Sequence, residues 1–197
     1  MKKFLIIFSK IISSIFTPVL IPVYTFTLLI FSQKEFTTTK KISLYIVAIL
    51  FSSVLHIIPI VYLKLKGEIK SLDIVSKEKR IMPLSFSILI YTIGYFLMNW
   101  MNASDISQVL MLGYIIITTI VIIITYWWKI SIHALGISGP LVILNYYFGA
   151  IVLPFYILIP IVCVSRVILK RHTIKQVIVG AGLGIGMSVL ILLVYFS

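Results

Sequence analysis

The chain has 197 residues, of which 61% are apolar and 11% charged, and its mean hydropathy is +1.18, a composition that excludes a soluble globular fold. The net charge of +12, from 17 Lys and Arg against 5 Asp and Glu, would suggest nucleic acid in a soluble chain. Here the bases separate apolar runs too long for a globular core, so the expected partners are anionic membrane lipids and a lipid phosphate, and no nucleic acid.

A bilayer-spanning helix needs a long, mostly apolar run. On that measure the chain is an all-α polytopic transmembrane bundle with about seven spans, or six, at 11–32, 42–63, 82–99, 107–128, 131–148, 152–169 and 174–196. The whole of 1–197 reads as a single integral-membrane domain, without internal repeats or low-complexity linkers. In the first stretch Lys10 splits the apolar run and Pro18 and Pro22 interrupt it, so residues 4–16 also fit a helix lying in the interface. Lys2 and Lys3 before an apolar stretch mimic a signal peptide, but the run continues past an h-region and no small-residue cleavage site follows. The longest uncharged run, Ile130 to Ser165, is 36 residues and reads as a tight helical hairpin broken near Asn145, Gly149 and Pro154. Cys163 lies inside it and reads as packing. Trp100, Trp127 and Trp128 fall at span ends, where amphipathic rings prefer to sit.

With seven crossings, the N-terminus and the segments 64–81, 129–133 and 166–173 share a side carrying 14 bases, against 3 on the other. The positive-inside rule makes the 14-base side cytoplasmic, and the inner (plasma) membrane is the expected location. The polar chemistry collects on that side. His133 and His172 fall at span boundaries in segments far apart in sequence: Asp73 to Pro83, Lys129 to Gly139 and Ser165 to Gln176 bring Arg or Lys, and the last two bring the histidines. Arginine's planar fork suits phosphate oxygens and imidazole titrates near neutrality, so arginine with two histidines and no carboxylate pair points to chemistry on a phosphate.

These segments resemble the three signatures of the type-2 phosphatidic acid phosphatase superfamily, over residues 73–176. The third signature reads Ser-Arg, five residues, His, three residues, Asp; here Ser165-Arg166 is followed by five residues, His172, three residues and Gln176. The second reads Pro-Ser-Gly-His, against Ile130-Ser131-Ile132-His133. The first reads Lys, six residues, Arg-Pro; Arg80 fits, Asp73 stands at the lysine position, and Pro83 comes three residues after the arginine. The resemblance implies a metal-independent, cofactor-free lipid phosphatase. His172 would be the nucleophile that becomes a phosphohistidine, His133 the general acid, and Arg80, Arg166 and Ser131 the phosphate ligands. Gln176 would orient His172 in place of the family's aspartate, without its charge, and Asp73 is a candidate to supply a carboxylate.

Expected substrates are phosphomonoesters or pyrophosphates of an amphiphilic lipid, such as phosphatidic acid, phosphatidylglycerophosphate or polyprenyl (di)phosphate. Gln176, Asp73 and Ile132 also fit an alternative, a non-catalytic protein that binds or transports a lipid phosphate on the same scaffold. His56 reads as a histidine bonded to a neighbouring helix rather than as part of the pocket. Gly180, Gly182, Gly184 and Gly186 fail the Gly-x-Gly-x-x-Gly spacing, and small residues four apart read as a close helix contact.

Overall fold

A computed structural model describes residues 2–69, 76 and 78–197, which form helices and turns with no strand among the described residues. Among the described residues nine α-helices follow one another: α1 (Lys2–Ile15), α2 (Ile21–Phe31), α3 (Thr38–Ile49), α4 (Ile57–Leu65), α5 (Ile81–Trp100), α6 (Asp105–Trp127), α7 (Ile132–Phe148), α8 (Leu158–Ile168) and α9 (Ile174–Tyr195). A π-turn, Leu50–Val54, lies between α3 and α4, and a stretch of 3-10 helix, Gly149–Ile157, joins α7 to α8. Among the described residues, five helical stretches are long and apolar enough to cross a membrane: Thr38–Leu65, Glu78–Trp100, Asp105–Trp127, Ile132–Ile168 and Ile174–Tyr195. Ile21–Phe31 is a shorter apolar helix. These are the helices of an integral membrane protein.

The expected set of seven spans does not map onto these helices one to one. The stretch 11–32 is not one helix, because the chain turns through Thr17 to Leu20, around Pro18, and restarts at Ile21 with Pro22 in the first turn of α2. Proline is tolerated there because a first-turn N–H has no helical acceptor to lose. The stretches 131–148 and 152–169 coincide, but for residues 131 and 169, with one 37-residue helical segment, Ile132–Ile168. It is interrupted at Gly149, whose φ of 73° is open to glycine and strained for other residues. Asp73, with Lys70 and Lys77, lies outside the described residues.

The chain divides into two compact units, Met1–Ile21 with Ile130–Ser197, and Pro22–Lys129. In the first, α1 packs on α8, and α7 packs along α9, on α8 and on the 3-10 stretch. The α7–α9 contact is close because its residues are small. A Cβ on Gly180 would come within 2.7 Å of the Ser131 carbonyl oxygen, and one on Gly184 within 2.8 Å of the Leu135 carbonyl oxygen. Ser138 Oγ donates across the contact to the Ala181 carbonyl at 3.0 Å, the kind of bond that joins helices where water is absent. Toward the start of α7, Ala134, Val177 and Ala181 pack with Ile159, Cys163 and Val167 of α8.

In the second unit, α5 packs along α6 and against α3, α4 and the π-turn. In both units small polar side chains turn inward beside the apolar core, while many other large apolar side chains face out. Ser9, Ser13, Ser87 and Ser188 are buried, whereas Phe4, Phe96, Ile151 and Val194 are exposed. That inversion is what a hydrocarbon surround selects, since lipid solvates the apolar face and only protein partners satisfy the hydroxyls.

Candidate functional site

The first unit brings two of the three motif segments together through helix ends. Helix α8 finishes in a Schellman turn: Arg171 N–H donates to the Arg166 carbonyl at 3.0 Å and Lys170 N–H to the Val167 carbonyl at 2.9 Å. Lys170 adopts the left-handed conformation this turn requires, with φ of 55°, where glycine is usual. The His172 N–H also reaches the Arg166 carbonyl, at 3.4 Å. The reversal accounts for the Ser-Arg-to-His spacing, because it folds His172 back over the end of the helix that carries Arg166.

Helix α9 then starts at once. Thr173 is its N-cap: Thr173 Oγ1 accepts from Gln176 N–H at 3.4 Å, and Gln176 Oε1 accepts from Thr173 N–H at 3.1 Å, a reciprocal capping box. The same Gln176 oxygen lies 3.2 Å from His172 Nδ1. The sequence places Gln176 beside His172 by i,i+4 helical spacing, and the pairing is present by a different route. His172 precedes the helix, and the glutamine meets it by reaching backward as a cap. An amide oxygen is acceptor-only, so Nδ1 carries the hydrogen and Nε2 keeps its lone pair when the ring is neutral.

Helix α7 begins beside that turn, with Ser131 N–H donating to the Gln176 carbonyl at 3.3 Å. Ser131 is fully buried, and its hydroxyl caps α7 by accepting from Ala134 N–H at 3.4 Å. His133, half-buried, stands in the first turn of α7. The starts of α7 and α9 therefore meet at Ser131 and Gln176, and helix N-termini are the positive ends of their dipoles. Arg166 is 2% exposed and its Nη1 donates to Ser13 Oγ of α1 at 2.6 Å. Arg80 belongs to the second unit, where it is buried at the start of α5.

Sequence reasoning missed Ser13 as the partner of Arg166. The available signal was the four-residue spacing of Ser9 and Ser13; both are buried, although seven large apolar residues of the same helix are exposed. It also missed how charge divides between the units. All five acidic side chains, Glu35, Glu68, Asp73, Glu78 and Asp105, belong to Pro22–Lys129, whereas the first unit has seven bases and no Asp or Glu. A buried guanidinium, two histidines and two converging helix N-termini, in a unit without a carboxylate side chain, suit an anionic oxygen ligand. No group of three or more His, Cys, Asp or Glu with metal-holding geometry occurs among the described residues.

No family model matches the chain, and no curated protein or solved structure matches it.

Proposed function

We propose that the first unit holds the phosphate of an amphiphilic lipid between the ends of α7, α8 and α9 and hydrolyses it through His172. The observation that carries this reading is the His172 Nδ1 to Gln176 Oε1 pairing at 3.2 Å in a unit without an Asp or Glu side chain. With its hydrogen on Nδ1, the ring offers the Nε2 lone pair to phosphorus. The P–N bond forms as the bond from phosphorus to the lipid oxygen breaks, and His133 supplies the proton that the leaving oxygen takes. Water then attacks phosphorus, the P–N bond breaks, and inorganic phosphate leaves with His172 regenerated. Arg166 and the helix N-termini stabilise charge on the phosphoryl oxygens as it moves. Ser131 contributes by capping α7, and the reading uses first-unit residues alone. The bases of the first unit, all in 2–10 or 166–175, favour a cytosolic side for this face by the positive-inside rule.

A second reading, non-catalytic binding or transport of a lipid phosphate, is favoured by one observation: the Gln176 oxygen is shared between the cap and His172 and brings no charge to the ring. The two readings separate on the purified chain in detergent, supplied with phosphatidic acid, phosphatidylglycerophosphate and polyprenyl diphosphate. Inorganic phosphate is released by the wild type and not by His172→Ala if the first holds. Release that persists in His172→Ala refutes the nucleophile. Saturable binding without release from any of the lipids establishes the second reading. Maleimide labelling of Ser104→Cys tests the orientation, which fails if that cysteine is labelled from the cytosol.

A further inference from the structure

The second unit holds a histidine well inside its longest apolar helical stretch, Thr38–Leu65. His56 follows the π-turn and is 7% exposed. The turn prepares a place for it. In an α-helix the Leu55 N–H would bond the Phe51 carbonyl; here it bonds the Leu50 carbonyl instead, at 3.1 Å, and the released Phe51 oxygen lies 2.8 Å from His56 Nε2. The wider turn also brings Phe51 against Gly94 of α5, where a Cβ would come within 2.6 Å of the phenylalanine Cβ.

The other ring nitrogen, Nδ1, lies 2.8 Å from Ser87 Oγ of α5, and that oxygen lies 2.8 Å from the Pro83 carbonyl. A carbonyl only accepts, so Nε2 carries a hydrogen whatever the charge on the ring. The serine has one hydrogen and two neighbours able to accept it. With a neutral ring, Ser87 O–H donates to Nδ1. With a charged ring, Nδ1–H donates to Ser87 Oγ, and the serine hydrogen turns to the Pro83 oxygen. Both protonation states keep every ring nitrogen bonded, and rotation of one hydroxyl converts one arrangement into the other.

We propose that His56 is a proton-binding site within the membrane-spanning part of the chain, with Ser87 as the rotor that serves both of its protonation states. The proton arrives from water onto Nδ1 as the serine hydrogen swings from the ring to the Pro83 carbonyl. Tyr91 of α5 faces the ring with 4.3 Å between centroids, and an aromatic face favours an adjacent cation. Tyr114 of α6 lies 5.3 Å beyond Tyr91. On α3, Tyr45 is turned to Phe31 and Thr27, and Lys64 of α4 lies two turns further along the chain. Independently of the histidine, Ser52 and Ser53 in the π-turn are buried and their hydroxyls make no hydrogen bond within the protein. Unsatisfied hydroxyls in an apolar surround are costly, and water-sized ligands are what would relieve them.

The test is a nitrogen-15 NMR titration of imidazole in the full chain, in detergent, with His133→Gln and His172→Gln leaving His56 as the sole histidine of the original three. The wild-type spectrum, which contains the same signal, controls for altered folding. Between about pH 9 and about pH 4, the ring is expected to pass from the form protonated at Nε2 alone to the form protonated at both nitrogens. Ser87→Ala removes the acceptor for Nδ1–H and is expected to weaken proton binding roughly tenfold, while leaving the hydrogen on Nε2 in the neutral form. A ring that keeps one hydrogen throughout the titration overturns the proposal, as does an unchanged midpoint in Ser87→Ala.

Discussion

His172 and His56 are both buried and both bonded to a side-chain oxygen at Nδ1, yet the chain builds their surroundings in opposite ways. His172 stands at a chain reversal, where a Schellman turn ends one helix, a capping box starts the next, and one glutamine oxygen serves both the cap and the ring. His56 stands within the long stretch Thr38–Leu65, just before α4, and its acceptor appears because a π-turn releases a backbone carbonyl. A helix end supplies polar partners without disturbing the backbone ladder, whereas a helix interior must give up part of that ladder to make one. The surrounding charge differs too, since the unit around His172 has no acidic side chain and the unit around His56 has all five.

The strongest way to break the comparison is to remove the reactive ring. His172→Ala is expected to lower phosphate release by at least about a thousandfold with little change in thermal unfolding. His56→Gln is expected to leave release within severalfold of the wild type. Comparable losses in the two variants would show that the histidines do not divide their roles between the units.

A second break acts on packing. Gly184→Val on α9 places side-chain atoms against the Leu135 carbonyl and Ser138 of α7 and is expected to cost about 2 kcal/mol or more of stability in detergent. Gly182→Val, where a Cβ meets nothing within 4 Å, is expected to be close to neutral. Equal melting temperatures for the pair would remove the close α7–α9 contact as a determinant of the site.

Gln176 allows the comparison to be sharpened rather than broken. Gln176→Glu preserves the capping geometry and puts a carboxylate beside His172, which favours the charged ring and is expected to raise phosphate release about tenfold. Gln176→Ala loses the cap and the ring's acceptor together, costing about 1 kcal/mol of stability along with activity. A Glu variant slower than the wild type would separate the cap from the chemistry. The smallest expected effect is at the reversal itself. Lys170→Gly relieves a left-handed residue and is expected to raise stability by up to about 1 kcal/mol with phosphate release unchanged.

Much of this was legible in the residues. Long apolar runs announced the helices, and small residues four apart in 180–186 announced a close helix contact, though not that α7 is the partner. The break around Pro18 was visible as two prolines, though not its consequence, which is that α1 leaves α2 and packs on α8. Gln176 illustrates the mixed case: its pairing with His172 followed from spacing, but its role as a cap depended on where α9 begins.

The sequence alone determined that the chain is an all-helical membrane protein and that its acids are confined to residues 35–105, because composition, run length and charge order are local properties of the chain. Tertiary structure decided which helix ends meet and which hydroxyl holds each buried polar group. Arg166 takes its partner from Ser13, 153 residues away, and His56 from Ser87, 31 residues away. No local pattern encodes such pairs, since helix packing sets them through the fit of side chains along the whole length of each contact.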